Sequence, residues 1–114
     1  MPGIPVASFG PPTQITDGAT QTIDCSQGSQ FLWTLGANRT VSTFTNPAPG
    51  QIVHLHVKQD ATGSRTLTWP SNVAWPSATA PTLTTTAAKV DVFQFIYDAA
   101  TLVWRGSTVG LNYT

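Results

Sequence analysis

Apolar residues recur at every second position through most of this chain, and no stretch carries them at helical spacing. Residues 51–59 are the clearest case. Val53, Leu55 and Val57 share one face of an extended backbone, and Ile52, His54, His56 and Lys58 share the other. Phe31, Trp33 and Leu35 alternate with Leu32 and Thr34 in the same way, and residues 39–45 set Val41 on one face and Phe44 on the other. Turn-forming residues separate these runs at 27–29, 36–38, 46–50, 60–63 and 98–101. Residues 22–25, 65–69, 82–86 and 102–105 add shorter strands, with 65–69 expected to fold back beside 51–59 as a hairpin. Residues 90–97 hold Val92, Phe93, Phe95 and Ile96, which predicts a central strand covered on both faces. The pattern is all-β: an antiparallel β-sandwich of jelly-roll type, with residues 106–114 as a tail.

The N-terminal stretch reads differently. Pro2, Pro5, Pro11 and Pro12, with Gly3 and Gly10, forbid helix and discourage strand pairing. Residues 1–19 are therefore expected to form an extended, proline-rich arm, and residues 20–114 the single β-sandwich domain. Ile4, Val6 and Phe9 are the apolar positions of that arm and its candidate contacts to a partner.

Charge narrows the function. Only 9% of the 114 residues are Asp, Glu, Lys or Arg, there is no Glu, and the net charge is zero. A typical soluble domain carries about 25%. Threonine, the commonest residue, covers the surface in their place. A near-neutral, Thr-rich surface suits a protein that lives assembled with neighbours. Lys58, Lys89, Arg39, Arg65 and Arg105 are scattered, so no basic patch is available for nucleic acid. No apolar run reaches the roughly 20 residues that cross a bilayer, and the first residues lack the pattern of a secretion signal. Assembly in a reducing cytoplasm is the expectation, which makes the sequons at Asn38 and Asn112 chance matches.

Chemistry has little to work with. His54 and His56 project from one strand face and could begin a metal site, but neither Asp60 nor Asp91 has the spacing of a third ligand. Cys25 is the only thiol and reads as a small core residue. Asp17, Asp60 and Asp98 sit in turns, and no two of the five aspartates form a catalytic pair. No catalytic, metal or cofactor-binding residues are assigned, and the chain is expected not to be an enzyme. Four tryptophans are many for this length. They suit core and interface packing, though Trp75, framed by prolines in a loop, is the one expected at the surface and a candidate partner contact.

One stretch is familiar as a whole. The order Gln59-Asp60-Ala61-Thr62-Gly63-Ser64-Arg65-Thr66-Leu67-Thr68-Trp69-Pro70, then Val73-Ala74-Trp75-Pro76, then residues 80–87 (APTLTTTA), then Val90-Asp91-Val92-Phe93 resembles a module of bacteriophage virion proteins. That module occurs at the ends of tail fibres and in small head or tail proteins. The likeness spans about residues 20–106, less sharply in its first strands. It implies virion structure and brings no catalytic residues. The absence of a long upstream shaft favours a capsid decoration protein, binding the major capsid protein or other virion subunits as a homotrimer at local three-fold sites. The alternative is a tail-fibre or tail-tip subunit that binds host-surface carbohydrate.

Overall fold

The computed structural model describes residues 11–114, and nearly all of its regular structure is strand. In chain order the strands are β1 (Thr13–Gln14), β2 (Thr20–Asp24), β3 (Gln30–Leu35), β4 (Arg39–Thr45), β5 (Ile52–Gln59), β6 (Leu67–Thr68), β7 (Val73–Ala74), β8 (Val90–Asp98) and β9 (Val103–Tyr113). They form a six-stranded sheet in the order β1-β3-β5-β8-β9-β7 and a three-stranded sheet in the order β2-β4-β6. The expected all-β content holds.

The expected antiparallel pairing does not. β1-β3, β3-β5, β2-β4, β4-β6 and β7-β9 are all parallel, and only β5-β8 and β8-β9 are antiparallel. An antiparallel jelly roll cannot contain these ladders. Up to β6 the chain alternates strictly between the two sheets, so each new strand lies beside the one two places earlier. The chain winds as a short two-sided solenoid and closes with the β8-β9 hairpin.

The connections explain the winding. Where a hairpin would reverse the chain within one sheet, 36–38 and 60–66 carry it across to the other. Asp17 braces the first of these arcs from the preceding winding. Its carboxylate accepts bonds from Gly36 N–H (3.1 Å), Arg39 Nε (2.9 Å) and Trp33 Nε1 (2.9 Å). Asn38 Oδ1 then accepts the Thr66 N–H of the next arc (3.0 Å). On the opposite side, Gln51 Nε2 donates to the Cys25 and Gly28 carbonyls, and Asn46 Nδ2 to Asp24. β6 therefore pairs with β4 and not with β5, so the expected 65–69 hairpin is replaced by a crossing. Residues 11–19, read from the sequence as part of the arm, contain β1 and Asp17, both bonded into the domain.

Both sheets face one core. Ile23, Val41 and Phe44 from the small sheet meet Trp33, Val53, Leu55, Phe93, Phe95 and Trp104 from the large one. Val41 and Phe44 both point inward because the register jumps from Gln21↔Val41 to Thr22↔Thr43. The extra residue, Ser42, forms a bulge that turns the following side chains over. β8 does lie centrally, between β5 and β9, but its outer face is open: Ile96 is 42% exposed beside Ile52 at 46%. Residues 82–86 form no strand, and the expected tail is the greater part of β9.

The residues that carry the virion-module likeness converge on one knot. Gln59 is buried; its amide donates to the Arg65 and Thr84 carbonyls and accepts the Arg65 N–H, all at 2.9 Å. Asp60 accepts from Thr62 N–H, Gly63 N–H and the Arg65 guanidinium. Buried Asp91 accepts from Thr84 N–H (2.7 Å) and Asn112 N–H (2.9 Å). Gly63 has φ +75°, and a Cβ there would stand 2.6 Å from the Thr85 carbonyl oxygen. Gly63→Ala is expected to cost about 1–2 kcal/mol from φ alone, with the backbone clash adding to it. A denaturant midpoint equal to wild type would contradict this role.

Candidate functional site

Trp75 stands where β7 leaves the edge of the large sheet. Its ring packs edge-on against Trp69 (centroids 5.2 Å apart), Phe95 (5.6 Å) and Phe93 (6.2 Å), so it is half-buried and rigidly held. Gly106 on β9 makes room for it: a Cβ there would lie 2.7 Å from the indole. Beyond Trp75 the chain makes a tight turn through Ser77 and Ala78, at φ 55° and 57°, a conformation that non-glycine residues rarely adopt.

That turn and β9 enclose a cleft of about 560 Å³, lined by Trp75, Pro76, Thr79, Thr82, Ser107 and Thr108, with Ala80 and Pro81. A smaller hollow of about 230 Å³ borders Trp75, Arg105 and Gly106. The larger cleft has hydroxyls and one indole but no charged side chain. Arg105, in the smaller one, is paired with Asp98 at 2.8 Å. Such a surface can stack on the apolar face of a sugar ring and exchange hydrogen bonds with its hydroxyls.

The sequence singled out Trp75 but missed its companions. Ser107 and Thr108 were hidden in the expected tail, and Gly106 gave no sign that an indole would lie on it. Ile4, Val6 and Phe9 lie outside the described residues.

The other candidates are held in place by the fold. His54 and His56 share the outer face of the large sheet, where Gln30 bridges them: its amide meets His54 Nδ1 at 2.6 Å and His56 Nε2 at 3.2 Å. Gln94 meets His54 Nε2 at 3.0 Å. Partial burial and the neighbouring His54 hold His56 below the usual imidazole range. Burial, with a smaller effect from Asp24, pushes the Cys25 thiol up to about 12, too high for a thiolate nucleophile. All five aspartates accept bonds that brace loops or turns.

A family model described as "Putative phage tail fibre C-terminal domain" matches residues 16–102. The chain belongs to this family. No curated protein and no solved structure matches it significantly. Membership makes this tail-fibre domain a phage structural module and a virion component, and it speaks for the tail-fibre alternative over the capsid-decoration reading. The match begins inside the stretch read as the arm and ends in the β8-β9 turn. It takes in Asp17, the Gln59-Asp60 knot and Trp75 of this tail-fibre domain, and leaves all of β9 outside.

Proposed function

We propose that this chain forms the distal end of a phage tail fibre, assembled as a homotrimer, and that it holds neutral saccharide of the host surface in the Trp75 cleft. The observation that carries the reading is a rigid indole at the mouth of an uncharged, hydroxyl-lined cleft, in a chain from a tail-fibre C-terminal family. The chain acts by binding and not by catalysis. Its aspartates are engaged in loop bracing, and its thiol is buried. A fibre tip contacts the cell through many weak copies, so a shallow site is sufficient once avidity multiplies it.

A glycan array probed with the purified protein tests this. Trp75→Ala is expected to weaken saccharide binding by about tenfold or more, since aromatic stacking contributes roughly 0.5–1.5 kcal/mol beyond the buried area. Far-ultraviolet circular dichroism should remain that of a β protein. Retention of full binding by Trp75→Ala would move the site elsewhere, and binding to no glycan would remove the saccharide reading.

A further inference from the structure

The Trp75 cleft has two unlike lips. One is the turn and segment that follow Trp75, and its Thr79 hydroxyl is engaged by the Ser77 carbonyl at 3.2 Å. The other is the middle of β9, where Thr108 stands exposed. Register places Thr108 beside the indole. Gly106 pairs with Phe95 and Thr108 with Phe93, so Gly106 and Thr108 share one face of β9. The Trp75 ring lies on Gly106 and packs against Phe93 and Phe95. Thr108 is therefore one strand repeat beyond the indole, about 7 Å along β9.

The main chain of Thr108 turns toward the same rim. Trp104 N–H donates to the Asn72 carbonyl at 2.9 Å, so the main-chain groups of Trp104 point to the β7 side. Alternation points those of Gly106 and Thr108 the same way. β7 ends at Ala74, opposite Arg105, and the chain leaves through Pro76, which has no N–H to extend the ladder. Thr108 thus brings an N–H, a carbonyl and a hydroxyl to the cleft, and none of the three has a partner among the described residues. Pairing with β8 on the other edge fixes the strand that carries them.

We propose that Thr108 is the specificity-determining residue of this cleft, selecting neutral sugars that present a vicinal diol at the edge of the stacked ring. The inference rests on the saccharide reading of the cleft. Stacking on Trp75 uses the apolar face of a ring and carries little information about any single hydroxyl. Hydrogen bonds carry that information, because a sugar lacking the matching hydroxyl leaves a fixed donor or acceptor unpaired. The Thr108 N–H donates, its carbonyl accepts and its hydroxyl does either, so two neighbouring sugar hydroxyls can be held together. With no charged side chain in the cleft, the sugar it suits is neutral. Trp75 supplies the platform, and Thr108 the choice of what sits on it.

Sugars that differ at one hydroxyl test the assignment. Binding of the full chain to a panel of neutral hexose glycans and their single-centre epimers is measured for wild type, Thr108→Val, Thr108→Ser and Trp75→Ala. Thr108→Val keeps the β-branched shape that suits a strand and removes the hydroxyl. It is expected to shrink the ratio between the preferred sugar and its epimers by about tenfold, the effect of one hydrogen bond. Binding of the weaker epimers should stay near wild type, and Thr108→Ser should restore the ratio. Trp75→Ala should weaken every member of the panel. A ratio unchanged by Thr108→Val, or an equal loss for the preferred sugar and its epimers, would overturn the proposal and leave the saccharide reading standing. If wild type binds no member of the panel, the saccharide reading falls, and this proposal with it.

Discussion

Trp104→Ala is expected to destabilise the protein by about 3–5 kcal/mol, the range for removing a large aromatic from a packed core. Trp104 is fully buried, and its ring lies 4.9 Å from Phe44 and 4.7 Å from Tyr97. Phe44 belongs to the small sheet and Trp104 to the large one, so this contact ties the layers together. Phe44 also meets Phe95 at 5.0 Å, and the hole left by alanine would open beside the Phe44 and Tyr97 rings. The small sheet is slight, with β6 two residues long and β2 an edge, and Ile23, Val41 and Phe44 are what it buries against the large one. Against a typical total of about 5–15 kcal/mol, the loss leaves a marginal domain. At roughly 4–8 °C per kcal/mol, the melting temperature should fall by about 12–40 °C. Trp104→Phe should lose much less. A fall under about 5 °C for the alanine variant would mean that the Trp104 contact does little to hold the two sheets together.

The period-two pattern located the strands well, and for a physical reason. Burial on one face of a pleated backbone must alternate, so 31–35 and 51–59 announced which side chains enter the core. How strands pair was not legible. A turn that folds a strand back beside its neighbour and an arc that carries it to the facing sheet use the same Gly, Asn and Pro residues. What separates them is a partner far along the chain, such as Asp17 for the 36–39 arc or Asn38 for Thr66. Nor did the winding announce itself as a repeat. Its steps of 18 and 24 residues differ, so no fixed period appears. The bulge at Ser42 carries no composition signal, and β9 was hidden by Gly106, Gly110 and polar neighbours.

The family likeness proved to report architecture more than chemistry. Gln59, Asp60, Gly63 and Arg65 lie well before Thr84 and Asp91 in sequence, yet all share one hydrogen-bonded knot. Only Trp75, of the residues in that likeness singled out as candidate contacts, also lines a cleft. The flanking prolines pointed to a surface loop, but its packing on Trp69, Phe93 and Phe95 needed the third dimension. A site assembled from a loop and the middle of β9 has no local spacing to read.

Acid should unfold this protein mainly below pH 4. All of its carboxylates are aspartates, and four of them are held below the ordinary value of 3.8. Hydrogen bonds from Arg39 act first on Asp17, from Ser26 on Asp24, from Arg65 on Asp60 and from Arg105 on Asp98. For Asp60 the folded value is about 2. A carboxylate with a depressed pKa stabilises the fold fully above its unfolded value and loses that contribution as pH falls through its folded value. The window therefore runs from about 4 down to about 2. His56 acts in the same direction at higher pH. Its folded pKa is depressed, so the unfolded chain takes up the proton first, and stability begins to slip below about 6.5. One imidazole against four loop-bracing carboxylates makes this the smaller step. Melting temperatures measured at pH 7, 4 and 2 should show a larger drop between 4 and 2 than between 7 and 4. Asp60→Asn should flatten the acid limb while lowering the plateau near pH 7, because an amide cannot accept the bidentate Arg65 pair as a carboxylate does. If the melting temperature changes as much above pH 4 as below it, the bracing aspartates are not what acid releases.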